Sequence, residues 1–263
     1  MSIFRKLEKA AALFGMSPRT GVKAIVNLNW YLSDLREIKK QARLSHFKFP
    51  LGTLFPILTE RGDQSGATLD HYFQQDLRVA RRIFELNPER HVDVGSRIDG
   101  FVTHVASFRP VEVFDIRPMD STIHNVRFQQ ADLMKMDERF TDYTDSLSCL
   151  HAIEHFGLGR YGDPIDFDGF DKGLQNLSKM LKSGGRFHFA TPMGPQRIEF
   201  NAHRVFSAEF LINYFSSMYR IDRFSYITDK GELIEDVPLD HSGFPENFGC
   251  RYGCAIIELI KLR

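Results

Sequence analysis

Three carboxylates stand at or just past the ends of three successive runs of strand-forming residues in this chain. Asp93 belongs to the strand and turn at residues 91–96, Asp115 ends the next run 22 residues later, and Asp132 follows the third run. In an open α/β sheet, ligands bind beyond the carboxyl ends of the strands, where the first turn lets backbone amides approach them. We therefore expect Asp115 to accept hydrogen bonds from ribose hydroxyls and Asp132 to accept one from an adenine amine. Together the acids predict a nucleoside pocket.

A dense polar segment at residues 150–166 follows the fourth strand-like run. We expect His155, and as a second choice His151, to act as general base, because an imidazole accepts a proton near neutral pH. Glu154 is spaced to orient one of them, and His203, from a later loop, is expected to face the same cavity. The alternative is that these histidines cap helices or fill polar gaps.

The spacing of His151, Glu154 and His155 also matches HxxEH, in which two imidazoles bind zinc and the glutamate activates water. Such a site needs a sustained helix and a further ligand, whereas this segment follows a strand and soon enters glycines. We therefore predict that the protein holds no metal.

A glycine-containing loop at residues 157–166 is expected to approach the substrate closely, because glycine leaves room for a ligand beside the backbone. Its acids would take sugar hydroxyls or a divalent ion; the alternative is an ordinary connection between a strand and a helix. The residues expected to contact substrate are Tyr161, Asp163, Asp166, Asn201 and Arg204.

Short β-rich runs alternate with helical or loop segments after residue 90, which predicts an α/β protein with a parallel sheet. We expect a helical N-terminal arm at residues 1–66 and a second domain at residues 67–263. Helices are predicted at 22–43, 69–86 and 207–218, and strands at 91–94, 111–115, 126–128, 146–150, 186–190, 221–227 and 254–260.

Charge is unevenly distributed: the chain has 34 basic and 34 acidic residues, but residues 1–50 carry ten basic and three acidic ones. The acidic remainder argues against nucleic-acid binding, which depends on Lys and Arg. The stripe of Phe4, Leu7, Ala11 and Phe14 either lies on an anionic membrane or packs on its own domain. Without a signal peptide, a membrane-spanning stretch or a disulfide framework, we expect a cytoplasmic protein.

From the turn at Gly95 through Lys182-Ser183-Gly184-Gly185-Arg186, the sequence resembles the class I S-adenosylmethionine-dependent methyltransferases. The resemblance implies a doubly wound, Rossmann-like sheet of about seven strands with the last one antiparallel, and S-adenosylmethionine as cofactor. It places Asp93 and Gly95 at the methionine end, Asp115 at the ribose and Asp132 at the adenine, with Leu133 beside the base. We expect Ser96 and Arg97 to complete the cofactor site. The segments HAIEHFGLGRYGDPID and FNAHRVF look like an uncharacterised branch of that superfamily, a domain family of unknown function.

The turn departs from the superfamily because Arg97 and Asp99 stand where further glycines are usual. Arg97 is expected to pair with the methionyl carboxylate, since a guanidinium matches a carboxylate in a bidentate fork. The alternative is that Arg97 and Asp99 pair with each other and that the pocket is altered.

We therefore predict methylation of a hydroxyl on a glycan or another polar small molecule, without a nucleic-acid partner. One alternative is a non-catalytic binding or scaffold protein that retains the fold. Nicotinamide-dependent oxidoreduction suits Asp115 but not the turn, which lacks the second glycine that lets a pyrophosphate approach.

Overall fold

The protein forms two compact units, Met1–Gly66 and Ala67–Arg263. The predicted amphipathic stripe at residues 4–14 lies outside the residues that the structure describes, so its membrane contact stays a prediction. The structure is a computed structural model, and it describes residues 15, 17–47, 49–61, 70–135, 137–240 and 242–262.

In the described part of the first unit there is one long helix, α1 (Pro18–Leu44), which begins before the predicted start at Val22. Ser17 caps it, because its hydroxyl accepts a hydrogen bond from the Thr20 amide, and a proline suits the first helical position. Within the described residues, no helix is long and apolar enough to cross a membrane.

The second unit is built on an eight-stranded sheet in the order β3-β2-β1-β4-β5-β10-β8-β9, with β6 and β7 forming a separate hairpin. The strands are β1 (His91–Val94), β2 (Val111–Asp115), β3 (Val126–Gln130), β4 (Thr144–Leu150), β5 (Leu181–Met193), β6 (Arg197–Glu199), β7 (His203–Val205), β8 (Tyr219–Ile227), β9 (Leu233–Ile234) and β10 (Gly253–Lys261).

The strand directions confirm the predicted doubly wound, Rossmann-like sheet. β1 pairs in parallel with β2 and β4, and the parallel arrangement continues to β3 and β5. β10 runs antiparallel between β5 and β8, as expected for the last strand. The count is eight rather than about seven, because the two-residue strand β9 adds to the edge at β8.

Helices cover both faces of the sheet, and each face has its own hydrophobic core. One core centres on Leu147, Phe187 and Phe189, and the other on Ile83 and Phe101. In the described part of the second unit the α-helices are α2 (His71–Leu86), α3 (Thr103–Ala106), α4 (Gly169–Met180) and α5 (Ala208–Ser216).

The buried face of α2 differs from the apolar stripe that the sequence suggests. Leu77 and Phe84, which share helical spacing with Ile83, are 52% and 65% exposed, whereas Ile83 and Arg78 are buried. Arg78 is accommodated because its guanidinium pairs with the Asp236 carboxylate at 2.7 Å. The ion pair of Arg78, and not the spacing of apolar residues alone, thus decides which face of this helix is buried.

Candidate functional site

A cavity of about 520 Å³ opens beyond the carboxyl ends of β1, β2 and β4. This is the edge at which open α/β sheets bind ligands, and the volume lies in the range of small-molecule sites. The predicted site residues that line it are Gly95, Arg97, Asp115, Asp132, Leu133, His151, His155, Tyr161 and Asp163.

The turn after β1 is shaped by a glycine and a buried acid. Gly95 has φ +71°, and a Cβ there would lie 2.8 Å from the Cβ of Ala152. Asp93, fully buried, accepts hydrogen bonds from the Ser148 and Ser96 hydroxyls at 2.6 and 2.7 Å, and burial raises its pKa to about 7. Asp93 and Ser96 therefore support the turn from beneath and do not line the cavity.

The backbone amides of this turn are also occupied. The Gly95 amide donates to the Phe114 carbonyl at 2.9 Å, and the Ser96 amide donates to the Asp93 carboxylate at 3.1 Å. Gly95 therefore contributes space to the cavity rather than the hydrogen-bond donor that its position suggested.

Asp115 ends β2 at the cavity wall, where its carboxylate already has a partner. The Arg117 guanidinium Nε lies 3.0 and 3.2 Å from the two carboxylate oxygens, and the Arg117 amide donates to the same group at 2.8 Å. The guanidinium also lies over the Tyr161 ring, 4.7 Å from its centroid. A ribose at Asp115 would have to displace Arg117.

Asp132 and Leu133 lie on the far side of the same cavity, just after β3. The Asp132 carboxylate accepts a hydrogen bond from the Met134 amide at 3.0 Å, which holds the acid in a tight turn. Leu133 is buried and supplies an apolar wall beside it. The pair thus offers an acceptor next to an apolar surface, the combination that an adenine ring requires.

Arg97 and Asp99 pair with each other, which is one of the two alternatives that the sequence left open for Arg97. Arg97 donates from Nε and Nη2 to the Asp99 carboxylate at 3.1 and 2.9 Å, and both side chains are more than half exposed. The Arg97 guanidinium lies 5.5 Å from the centroid of the Tyr72 ring. The pair stands at the rim of the cavity, which remains open.

A second cavity of about 540 Å³, here called the acceptor chamber, adjoins the first. Phe200, Asn201 and His203 reach it from the hairpin of β6 and β7. The two cavities share four wall residues, which therefore stand at their junction: Tyr72, His151, His155 and Arg160.

His151 and Glu154 form a buried pair in the wall of the acceptor chamber. His151 has φ +51°, an unusual conformation that occurs at functional sites, and its Nδ1 lies 2.9 Å from Glu154 Oε1. Although burial alone favours neutral groups, Cys254 and Glu154 raise the pKa of His151, and the His151 contact lowers the pKa of Glu154. His151 is thus hydrogen-bonded to Glu154 through Nδ1 and close to the Cys254 thiol, so it is less available as a base than His155.

His155 is oriented as a neutral base. Its Nδ1 donates to the Ala202 carbonyl at 2.7 Å, which leaves the lone pair on Nε2. Burial lowers its pKa, against the raising effect of Glu154, whose Oε1 lies 3.8 Å from Nε2. Glu154 is thus hydrogen-bonded to His151 and only near His155.

Three polar atoms around the acceptor chamber are buried and have no hydrogen-bond partner: His151 Nε2, Glu154 Oε2 and His203 Nε2. His203 Nε2 does approach a Glu199 carboxylate oxygen at 3.4 Å. Buried polar groups are normally satisfied, so this wall retains capacity for hydrogen bonds to water or to a polar ligand.

Arg204 and Asp166 line neither cavity. The Arg204 guanidinium is buried and donates to the Phe156 and Phe167 carbonyls at 2.6 and 2.9 Å, so it ties together the two ends of the loop at residues 157–166. Asp166 pairs with Lys172. Both residues therefore stabilise the loop. Neither is placed where it could contact a substrate in the two cavities, contrary to the prediction.

Asp163 holds the middle of the same loop. Its carboxylate accepts hydrogen bonds from the Gly159 and Tyr161 amides at 3.1 and 3.2 Å. Tyr161 is thereby placed in the cavity wall, edge-on to the His155 ring at 5.4 Å between centroids. Asp163 lines the cavity too, but its first role is to shape the loop.

The HxxEH interpretation fails because its helix is too short. Residues Ile153–His155 form a single 3₁₀ turn, and His155 faces the Ala202 carbonyl rather than a ligand position shared with His151. Two imidazoles one α-helical turn apart are therefore not presented to a common ion.

Sequence reasoning missed several wall residues. Tyr72, within the predicted helix at 69–86, stands at the junction of the cavities; burial, followed by Glu154, raises its pKa to about 12. Arg117, Arg160 and Tyr252 were also missed. Of these, only Arg117 had a signal in the sequence: a basic residue two positions after Asp115 can form a local ion pair with it.

A family model described as DUF268, a Caenorhabditis protein of unknown function, matches residues 111–242, half of the chain. No curated protein matches the sequence. The matched span covers the second to the ninth strands and includes Asp115, Asp132, His155 and His203.

Similar solved structures include the [4+2]-cyclase SpnF, at 13% identity over 75% of this chain and 86% of that chain, with a TM-score of 0.52. The N-methyltransferase NodS from Bradyrhizobium japonicum, solved with S-adenosylhomocysteine, is 12% identical over 78% and 92% of the two chains, with a TM-score of 0.49. The 1,6-didemethyltoxoflavin-N1-methyltransferase from Burkholderia thailandensis is 13% identical over 76% and 80%, with a TM-score of 0.47. At such identities, the similarity to SpnF supports the fold alone.

Proposed function

We propose that this chain, which belongs to the DUF268 family of Caenorhabditis proteins of unknown function, is an S-adenosylmethionine-dependent methyltransferase that acts on a hydroxyl. The acceptor we propose is a glycan or another polar small molecule. The observation that carries this proposal is the meeting of two cavities at His155, one suited to a nucleoside and the other walled by unpartnered polar atoms.

The residues of the first cavity fit the cofactor. The absence of a side chain at Gly95 leaves a space that a Cβ would partly fill, and the carboxylates of Asp115 and Asp132 lie at the ends of neighbouring strands. Leu133 adds the apolar surface that an adenine ring packs on. A ribose, an adenine and a methionyl group can thus be bound in sequence along one edge of the sheet.

The proposed chemistry is an in-line transfer. When bound, S-adenosylmethionine supplies a methyl group on a sulfonium, and it leaves as the neutral thioether once the carbon–sulfur bond has broken. The acceptor oxygen forms the new bond to carbon, and His155 Nε2 takes the proton of the hydroxyl. The chain's contribution is alignment and a dry site, together with a base whose lone pair faces the junction.

The acceptor chamber favours a ligand rich in hydroxyl groups. Glu154 Oε2 lacks a donor, and His203 Nε2, which lies 3.4 Å from a Glu199 carboxylate oxygen, can also donate or accept according to its tautomer. Asn201 adds an amide at the same wall. A polyol such as a sugar can donate to the carboxylate and exchange hydrogen bonds with the other two groups.

A second candidate is a non-catalytic binding protein, and one observation favours it. Arg117 occupies the Asp115 carboxylate that a ribose would need, through hydrogen bonds from both its side chain and its amide. If this pairing were permanent, the cofactor could not be seated.

Calorimetry with S-adenosylhomocysteine separates the two candidates. We expect saturable one-to-one binding in the micromolar range and a ligand-dependent rise in melting temperature. Absence of both heat and thermal shift at millimolar ligand would refute cofactor use and favour the binding protein. Methyl transfer from isotopically labelled cofactor to fractionated polar extracts, with His155→Gln as the inactive control, then tests the acceptor class.

A further inference from the structure

We propose that His71, His151 and Cys254 bind a divalent transition-metal ion, with Zn²⁺ as the best chemical match, in the wall of the acceptor chamber. The site shares His151 with the HxxEH pattern but takes its other two donors from elsewhere in the fold, and binding of the ion by these three residues does not require methyl transfer. Among the residues that the structure describes, these three form a group whose donor atoms all lie within 4.8 Å of one another.

Three separate elements bring the donors together. His71 is the first residue of α2, His151 follows the end of β4, and Cys254 is the second residue of β10. The two imidazole rings lie 5.7 Å apart between centroids with an interplanar angle of 14°. Positions so far apart in sequence converge here because the ends of β4 and β10 lie in one sheet, beneath the start of α2.

The spacing is close to that of a tetrahedral site. Zinc–nitrogen bonds of about 2.0 Å and zinc–sulfur bonds of about 2.3 Å place neighbouring donors roughly 3.3–3.7 Å apart. The observed limit of 4.8 Å exceeds this by about one ångström, which rotation of side chains at χ1 and χ2 can close.

His151 is presented as a metal-ligating histidine is. Its Nδ1 bonds to Glu154 Oε1 at 2.9 Å, whereas its Nε2 is buried and has no hydrogen-bond partner. A carboxylate on one ring nitrogen orients the other nitrogen toward an ion. The His151 side chain is 4% exposed and lies next to the Cys254 thiol.

The charge and softness of the donors select the ion. One thiolate and two neutral imidazoles suit Zn²⁺, Co²⁺ or Ni²⁺ and disfavour Mg²⁺ and Ca²⁺, which prefer oxygen ligands. Cys254 is fully buried, and its thiol lies beside His151, 3.5 Å from the Ala255 carbonyl and 3.9 Å from Gln75 Oε1. Binding releases to solvent the thiol proton and, when His151 carries both ring protons, the proton on its Nε2.

The ion is expected to have an open coordination position. Three protein ligands leave a fourth tetrahedral position for water or for an acceptor oxygen. Because His151 also lines the acceptor chamber, a bound ion would lie beside the acceptor group. The proposed ligand class at this fourth position is therefore a water molecule or a hydroxyl of the acceptor.

The test is titration of tag-free, reduced, chelator-treated protein with Co²⁺ followed by competition with Zn²⁺. A thiolate–cobalt charge-transfer band should appear at one equivalent and disappear when Zn²⁺ is added. Cys254→Ser should abolish the band, whereas Cys250→Ser, at a neighbouring buried cysteine outside the group, should keep it. Glu154→Gln should weaken binding by about 10- to 100-fold, the usual effect of losing a carboxylate behind a histidine ligand.

His71→Ala tests whether misfolding explains a loss of binding, since this partly buried residue lies outside the two hydrophobic cores. It should weaken Co²⁺ binding while the circular dichroism spectrum and melting temperature of the metal-free protein stay as in the parent. An absent charge-transfer band in the parent, or equal metal affinity in the parent, His71→Ala and Cys254→Ser proteins, would overturn the proposal.

Discussion

Replacing Arg117 with alanine should increase the affinity of the first cavity for S-adenosylhomocysteine. In the structure the Arg117 guanidinium and amide hold the Asp115 carboxylate, and the ligand's ribose must take over that carboxylate. Arg117→Ala removes the competing side chain and leaves the backbone contact intact. Asp115→Ala removes the acceptor itself.

The magnitudes follow from exposure and from the number of bonds. The Arg117 side chain is 43% exposed, so its pairing with Asp115 contributes only about 0.5–1 kcal/mol, equivalent to about twofold to fivefold in affinity. Two ribose hydroxyls donating to a carboxylate contribute about 3 kcal/mol, equivalent to about 100-fold. In an Asp115→Ala background, the further change Arg117→Ala should have almost no effect, because the two residues act on the same bond.

The four proteins of this cycle are compared by isothermal calorimetry at one ionic strength, since screening alters exposed pairs. Arg139→Ala is the matched control. Arg139 pairs with Asp137 at 3.0 Å with the same two-residue spacing but away from the cavity, so its loss should leave affinity unchanged.

The result that refutes this reasoning is weaker binding by Arg117→Ala, because Arg117 would then contact the ligand rather than compete with it. Unchanged binding by Asp115→Ala would remove Asp115 from the cofactor site altogether. An Arg117 effect of equal size in both backgrounds would show that the two residues act independently.

Three further predictions concern the base, the turn and its buried acid. His155→Gln should reduce kcat by about 10²- to 10⁴-fold with cofactor affinity unchanged. The kcat of the parent protein should rise with pH through a pKa below the usual 6.5 of histidine. Equal rates of variant and parent would exclude His155 as the base. Gly95→Ala should lower both melting temperature and cofactor affinity, because the new Cβ meets Ala152 at 2.8 Å, whereas Gly184→Ala, also at positive φ but with open space around it, should cost stability alone. Folded Asp93 keeps its proton up to a pKa of about 7 whereas the unfolded group loses it near 3.8, so its contribution to stability falls as pH rises between these values. Asp93→Asn should therefore flatten that part of the melting-temperature profile, and an unchanged slope contradicts the assignment.

The strands that surround the site could be located from sequence because buried parallel strands are continuous apolar runs. The predicted bounds of β1 and β2 coincide with the observed ones, and β4 and β8 begin only two residues earlier than predicted. β5 extends from Leu181, through the glycine turn expected before it, and Gly184 keeps φ +75° inside it. The local pattern of residue types does not predict this extension of β5, because it depends on pairing with a neighbouring strand.

Side-chain roles were less accessible than strand positions. Arg204 was expected at the substrate because it follows His203, yet alternation along β7 turns it to the loop carbonyls while His203 lines the acceptor chamber. Asp93 was expected at the ligand, but its carboxylate turns inward to Ser148 on the neighbouring strand. Each outcome depends on a partner that is distant in sequence.

What the sequence by itself determined is the order of strands and loops, and hence that Asp115, Asp132 and His155 follow strand ends on one edge of the sheet. Apolar runs and glycines carry that information locally, because burial and turn conformation depend on residue type. Only the tertiary structure decided that Arg117 occupies Asp115, that Glu154 holds His151 rather than His155, and that His151 meets other donors from α2 and β10. Those pairings are set by distances between residues far apart in the chain, and such distances exist only once the sheet and its covering helices have packed.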